Sequence, residues 1–273
     1  MDIYAAVTDR IMAQLEAGQI PWQKPWIAAG QAVSHVTGKP YSLLNQMLLG
    51  QPGEYITFHQ CMAEGGHVRK GEKASMVVFW KFIEQKDENT GEKKQTPFLR
   101  YYSVFHLSQC EGLTARYTPR LPNAAHADQQ AEAVMASYVL RSGVTIHHQD
   151  GDEAFYQPST DSITLPRMEQ FTSTAAYYST AFHELTHSTG HAKRLNRLNH
   201  AACFGTEDYS KEELIAEIGA AALVNHAGLE TFASLRSNAA YIQNWLGVLR
   251  GDKRFIVNAA GQAEKAVHLI LHQ

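Results

Sequence analysis

Phe182-His183-Glu184-Leu185-Thr186-His187 sets two histidines four residues apart with a glutamate beside the first. The surrounding segment, Thr174 to Ser188, reads as one helix, with Tyr177, Tyr178, Ala181, Phe182 and Leu185 as its apolar side chains and Gly190 as its stop. Residues four apart share a helix face, so both imidazoles can reach one ion while Glu184 faces a water beside it. This is the HExxH pattern of zinc peptidases, which combines a Lewis acid with a general base. In a chain with 14 histidines a chance match is on the order of a few per cent, and the plain alternative is a helix carrying two solvated histidines. The apolar, capped setting of the motif favours the site.

A catalytic zinc takes a third protein ligand and keeps one position open. The run from Ser210 to Leu223, a strong helix of small and apolar residues, offers Glu213 and Glu217. Ser210 with Glu213 has the form of a capping box, which gives Glu213 a structural task at a helix start. Glu217 lies a turn deeper among Ile218, Ala221 and Ala222, where an unpaired carboxylate is costly to bury. The expected ligands are therefore His183, His187 and Glu217, with Glu213 as outer partner or alternative ligand and Glu184 as catalytic base. The expected cofactor is Zn2+, with Mn2+ as another divalent option. A three-histidine site is disfavoured, because Gly190 turns the chain before His191 and the longer HExxHxxGxxH pattern meets Lys193 where it needs its last histidine. Tyr177, Tyr178 and His191 are candidates for steadying an oxyanion.

At 273 residues the chain has room for two domains, and 44% hydrophobic with 19% charged residues is a globular composition. No apolar run approaches bilayer length and no signal-peptide pattern opens the chain, so a cytoplasmic protein without membrane contact is expected. Cys61, Cys110 and Cys203 are odd in number and widely spaced, which suits ordinary thiols. The net charge of -3 argues against a generic nucleic-acid binder, but it is uneven. Residues 1–120 hold 13 Lys+Arg against 11 Asp+Glu, leaving 11 against 16 for the rest, so a polyanion contact belongs to the front.

The pattern predicts an α+β protein in two parts: a small α+β module over 1–120, then a zincin-like domain over 121–273 joined through the proline-bearing stretch 112–123. In front, a helix from Asp2 to Ala17 precedes the proline-pinned Ile20 to Trp26, short helices are expected at Leu43 to Leu49 and Thr57 to Glu64, and strands at Ser75 to Glu84 and Phe98 to Leu107. Behind, a helix from Asp128 to Arg141 leads into strands at Val144 to Gln149, Ala154 to Gln157 and Ser162 to Leu165. The motif helix follows, then helices near Lys211 to Asn225, Phe232 to Arg250 and Gln262 to His272. The loop Gly65 to Lys73 carries Arg69, Lys70 and Lys73, close in sequence to Trp80 and Lys81. Trp22, Lys24 and Trp26 form a second aromatic and basic group, with Tyr41, Tyr101 and Tyr102 as further rings. Such sets can track phosphates while rings stack on bases, although strand aromatics are more often core and lysine runs more often solvated loops.

The front half resembles the N-terminal domain of ArdC-type antirestriction proteins through Pro21-Trp22-Gln23-Lys24-Pro25-Trp26, Thr37 to Tyr41, Gly65 to Lys73, Val77 to Lys81 and Tyr102 to Phe105. The back half is similar to that family's zincin-like peptidase domain through Asp161 to Pro166, His183 to His187, Arg194-Leu195 and Glu212 to Ala221. The resemblance covers nearly the full chain. It implies single-stranded DNA binding in front, a metallopeptidase site acting on an unknown protein substrate behind, and a role in protecting an incoming plasmid or other mobile element from host restriction. It departs from the family at His59, where a lysine is usual, which weakens one candidate phosphate contact, and at His106. A protein that coats DNA non-enzymatically around a structural metal, or a replication accessory module, is the competing reading.

Overall fold

The computed structural model describes residues 2–23, 30–86, 93–117, 126–198, 207–229 and 239–272; Lys24, Trp26 and Cys203 lie outside them. The chain opens with α1 (Ile3–Glu16), capped by the Asp2 carboxylate, which accepts from the backbone N–H groups of Tyr4 and Ala5. Then come β1 (Ala32–Ser34), α2 (Leu43–Leu49), β2 (Gly53–Ile56), α3 (Phe58–Ala63), β3 (His67–Val68), the long strands β4 (Ser75–Lys86) and β5 (Lys93–His106), and β6 (Cys110–Glu111). A parallel β1–α2–β2 crossover joins the β4/β5 hairpin in one sheet of order β1-β2-β5-β4, and β3 pairs with β6. The short strands β1, β2, β3 and β6 escape a reading based on periodicity, since two to four residues cannot display one.

The second half comprises α4 (Ala127–Ser142), β7 (Thr145–Gln149), β8 (Phe155–Gln157), β9 (Ser162–Pro166), α5 (Thr174–Ser188), α6 (Glu207–Ala227), α7 (Ala239–Gly251) and α8 (Phe255–Leu271). Its sheet has the order β7-β9-β8, with β9 central and β8 at an edge. α5 spans the expected residues and starts at Ser173, whose hydroxyl accepts from the Ala176 N–H at 3.1 Å. α6 begins at Glu207, three residues before Ser210. Ser210 is therefore inside the helix, and the capping role expected of Glu213 does not exist. Among the described residues, no helix is long and apolar enough to cross a membrane.

Two cores meet along α6. Leu214, Ile215 and Ile218 join Val7, Ile11 and Leu15 of α1, Leu48 of α2, Val78 and Leu99 of the hairpin, and Trp245 and Phe255 behind. Ala220, Leu223 and Val224 join α4, the rear sheet and α5. The first core crosses the 120/121 boundary, so front and back bury apolar surface against each other. Polar links reinforce the seam: Thr8 Oγ1 donates to the Lys253 carbonyl at 2.8 Å, and the Leu43 N–H donates to Glu264 at 3.2 Å.

Candidate metal centre and the aromatic face

α5 and α6 pack closely because α6 carries glycine at the crossing. A Cβ on Gly219 would stand 2.6 Å from Thr186 Cγ2, so a larger residue there would push the helices apart. The close approach brings α6 carboxylates to the α5 imidazoles. His183 Nε2 and His187 Nε2 are 3.1 Å apart, Glu213 Oε2 is 3.6 Å from the first, and Glu213 Oε1 is 3.5 Å from the second. These are the residues among those described whose donor atoms converge on one point. Donors about 2.0–2.2 Å from an ion at tetrahedral angles stand about 3.3–3.6 Å from one another. The three side chains fit a divalent cation without rearrangement of the fold.

The structure thus gathers Glu213, not Glu217, with the histidines. On an α-helix four residues advance one turn, about 6 Å along the axis, and that rise carries Glu217 past the convergence point to the wall of the adjoining cleft. Glu217 is only half-buried and is not without a partner, so the cost of burying an unpaired carboxylate does not arise.

His187 is oriented from behind. Its Nδ1 lies 3.1 Å from Glu212 Oε1, and Arg197 donates to both oxygens of Glu212 at 2.9 Å. Arg197 also donates to Thr189 Oγ1 and the Thr186 carbonyl, each at 2.6 Å, which pins the loop after α5 beneath the site. With Nδ1 donating to Glu212, Nε2 is turned toward Glu213 and the convergence point, the arrangement that steadies metal-ligating histidines. Electrostatics agree. Burial lowers the His187 pKa, but its hydrogen bonds to Glu212 and Glu213 and the charges of Glu212 and Glu184 outweigh it and carry the value up to about 10. Burial raises the Glu213 carboxyl, yet its histidine partners hold it far below the usual range. Without an ion, the cluster keeps an extra proton where a cation would sit.

Glu184 is 6% exposed and lines the cleft beside His183. The cleft measures about 620 Å³ and runs past Phe155 of edge strand β8, Pro166, Phe171, Ser179 and Thr180. The wall is anchored by Arg194, which pairs with Asp161 at the β8/β9 turn and donates to the Ser188 carbonyl at the end of α5. None of the oxyanion candidates lines the cleft. Tyr177 and Tyr178 are core residues whose hydroxyls meet His148 at 2.9 Å and Glu132 at 3.1 Å, and His191 sits 4.0 Å from Asp161.

In front, strand alternation sorts the aromatics. Opposed pairs Val77/Tyr102, Phe79/Arg100 and Lys81/Phe98 share one face of the β4/β5 hairpin, while Val78/Tyr101 and Trp80/Leu99 share the other. On the first face Phe79 is 5.7 Å from Tyr102 and 6.2 Å from Tyr41, and the Arg100 guanidinium lies 5.3 Å from the Phe98 centroid. Phe79 and Tyr102 are exposed, as are Arg100 and Lys81. Trp80 is also exposed but stands opposite Lys81, so the two expected partners do not act on one surface. Trp22 is a correction of a different kind: it is 3% exposed and packs edge-on against Trp245 at 6.1 Å, so no base can stack on it. Arg69, Lys70 and Lys73 are exposed on the loop after β3, where Gly71 takes a positive φ of 91° and Arg69 is paired with Glu72 at 2.8 Å.

A family model described as the N-terminal domain of anti-restriction factor ArdC matches residues 1–105, and one described as a zincin-like metallopeptidase matches residues 129–262. The crystal structure of the antirestriction protein ArdC from plasmid R388 in its metal-free form matches with a TM-score of 0.80 and 39% identity, covering 100% of this chain and 97% of that one. Its Mn(II)-bound form gives 0.80 and 37%, covering 100% and 98%. The chain belongs to the ArdC antirestriction family. The y4eC protein of Sinorhizobium fredii is 34% identical over 97% of this chain and 90% of its own length. Two Escherichia coli proteins named DNA primase TraC are 37% and 38% identical over 98% and 97% of this chain, which spans only 20% and 26% of their length.

For this member of the ArdC family, sequence reasoning overlooked Glu212, Arg197, Phe79 and Arg100. The adjacent carboxylates Glu212-Glu213 did carry a signal. Neighbours on a helix point about 100° apart, so one can meet Nδ1 and the other Nε2 of the same imidazole. Arg197 had no local sign, because it reaches Glu212 only after the chain folds back on Gly190, whose carbonyl accepts from the N–H groups of Arg197 and Leu198 at 3.0 Å.

Proposed function

We propose that this chain is a two-part antirestriction protein of a mobile element, with a single-stranded-DNA-binding front (1–120) and a zinc metallopeptidase site behind (121–273). The observation that carries the second part is the convergence of His183, His187 and Glu213 on one point beside the buried carboxylate of Glu184. Two imidazoles and a carboxylate suit Zn2+, and the Mn(II)-bound relative makes Mn2+ a second option. An ion held there supplies Lewis-acid polarisation of a carbonyl. Glu184 accepts a proton from the attacking water and returns it to the departing amine, Glu212 and Arg197 hold His187 in register, and the cleft walls restrict water. The outer edge of β8, which pairs with no strand among the described residues, suits a polypeptide lying extended along the cleft.

The Phe79/Tyr102/Tyr41 group with Arg100, Lys81, Lys70 and Lys73 supports the first part, offering rings to bases and cations to phosphates. The competing reading, a DNA-coating or replication accessory protein with a structural metal, draws on the TraC match. Against the structural metal stand a cluster of three rather than four ligands among the described residues, and a general-base candidate facing a cleft. The deciding experiment incubates metal-loaded full chain and its Glu184→Gln variant with host lysate and follows protein fragments by mass spectrometry. Fragments made by the first and absent with the second support the peptidase; identical fragment patterns refute it.

A further inference from the structure

We infer that the cleft selects polypeptides rich in lysine and arginine; the inference rests on the peptidase reading and names its substrate class. Among the described lining residues the ionisable side chains are Asp152, Glu153, His183, Glu184 and Glu217, with no lysine or arginine. Asp152 and Glu153 are exposed just before edge strand β8, and neither meets a cation among the described residues. The neighbouring Asp150 differs, being paired with Arg167 at 3.0 Å. Deeper in the cleft Glu184 sits beside His183 as the proposed base, so the selectivity is assigned to Asp152 and Glu153, which the Glu184→Gln variant leaves in place. Phe155, Pro166 and Phe171 add apolar wall.

A concave site lined by one sign of charge concentrates ligands of the other sign. Asp152 and Glu153 disfavour a phosphate backbone at the mouth of this cleft, whereas the exposed cations Lys70, Lys73, Lys81 and Arg100 lie on the front half. The metal centre is thereby matched to basic polypeptide rather than to nucleic acid, and the two halves recognise opposite charges.

The test uses the metal-loaded Glu184→Gln full chain, which binds without turnover. Fluorescein-labelled peptides of equal length, one rich in Lys/Arg, one with Gln in their place and one with Glu, are titrated by anisotropy at low and high salt. The basic peptide is expected to bind about five- to tenfold more tightly than the Gln peptide at low salt, as two exposed ion pairs allow, with the preference shrinking at high salt. Asp152→Asn with Glu153→Gln should remove most of that preference while metal content stays constant. Equal binding of the three peptides, or a preference that survives the double variant, overturns the inference. Cleavage of the Gln peptide as fast as the basic one by the unmodified chain would leave the peptidase standing and sink its selectivity; failure of the chain to bind metal would sink the peptidase itself.

Discussion

The α5/α6 centre and the β4/β5 aromatic face differ in how their charges are held. In the centre nearly every charge is tied: His187 to Glu212, Glu212 to Arg197, Arg197 to the α5 terminus. On the hairpin face Arg100 lies against the Phe98 ring and Lys81 is exposed, with rings open to solvent beside them. A fixed network suits a ligand that must be held to within a fraction of an ångström, as a small cation is. Loose cations and open rings suit a long, irregular polyanion met at many weak contacts.

Removing a donor from the tied network should have the largest effect. His183→Ala is expected to lower metal affinity more than about a hundredfold, beyond the ten- to hundredfold typical of outer partners, whereas Glu184→Gln keeps the metal and loses peptide cleavage. Metal content after dialysis, measured by atomic emission, checks both. Glu213→Ala should follow closely, and Glu212→Gln should cost about ten- to hundredfold through a released His187 ring. Glu217→Ala should fall well short of either. A zinc titration ranking Glu217 above Glu213 would move the third ligand back one turn.

That ranking reverses the one read from the sequence, and the cause is physical. The two-histidine half of the centre is legible because helix geometry converts a four-residue spacing into proximity without help from the rest of the fold. The third ligand depends on where α6 starts and how it crosses α5. Ser210 resembles a cap, but the helix runs back to Glu207. The hairpin shows the same limit: its two long strands are legible, yet whether Phe79 or Trp80 shares a face with Lys81 depends on alternation along the strand, and Arg100 joins that face only through the register of β4 on β5. Trp22 beside two prolines reads as a surface ring, and only Trp245, far along the chain, makes it core.

If the hairpin face meets bases, Phe79→Ala or Tyr102→Ala should weaken binding of a labelled single-stranded oligonucleotide by about 1–3 kcal/mol each. Trp80→Ala, on the opposite side, should cost less. Anisotropy on the full chain is the measurement, because the shared core would be exposed in an isolated front half. Equal losses at Phe79 and Trp80 would erase the distinction between the faces.

A smaller effect concerns folding of the front. Burial raises the Glu54 carboxyl, but hydrogen bonds from the Tyr117 N–H, His35 and the Arg116 N–H more than offset this and hold it below its ordinary 4.5. A depressed folded value means the stabilisation is present above about pH 4.5 and is lost as pH falls through the folded value. Glu54→Gln should therefore lower stability at pH 7 by about 2 kcal/mol and flatten the acid limb of a urea-unfolding series. An unchanged acid limb would assign the pH dependence elsewhere.

The smallest expected effect separates cations that share one loop. Each phosphate contact to a single strand contributes about 0.7 to the slope of log affinity against log salt. Lys70 and Lys73 are exposed and their ammonium groups meet no carboxylate among the described residues, so replacing both by alanine should reduce the slope by about 1.4. Arg69 differs: Glu72 accepts from it at 2.8 and 3.2 Å, and Glu72 is itself held by Gln109 at 2.9 Å. A phosphate must displace a carboxylate already in place, so Arg69→Ala should change the slope by less than either lysine. A slope change from Arg69→Ala as large as that from one lysine would show that the Glu72 pair opens when DNA binds, and the loop would then belong with the tied network only while DNA is absent.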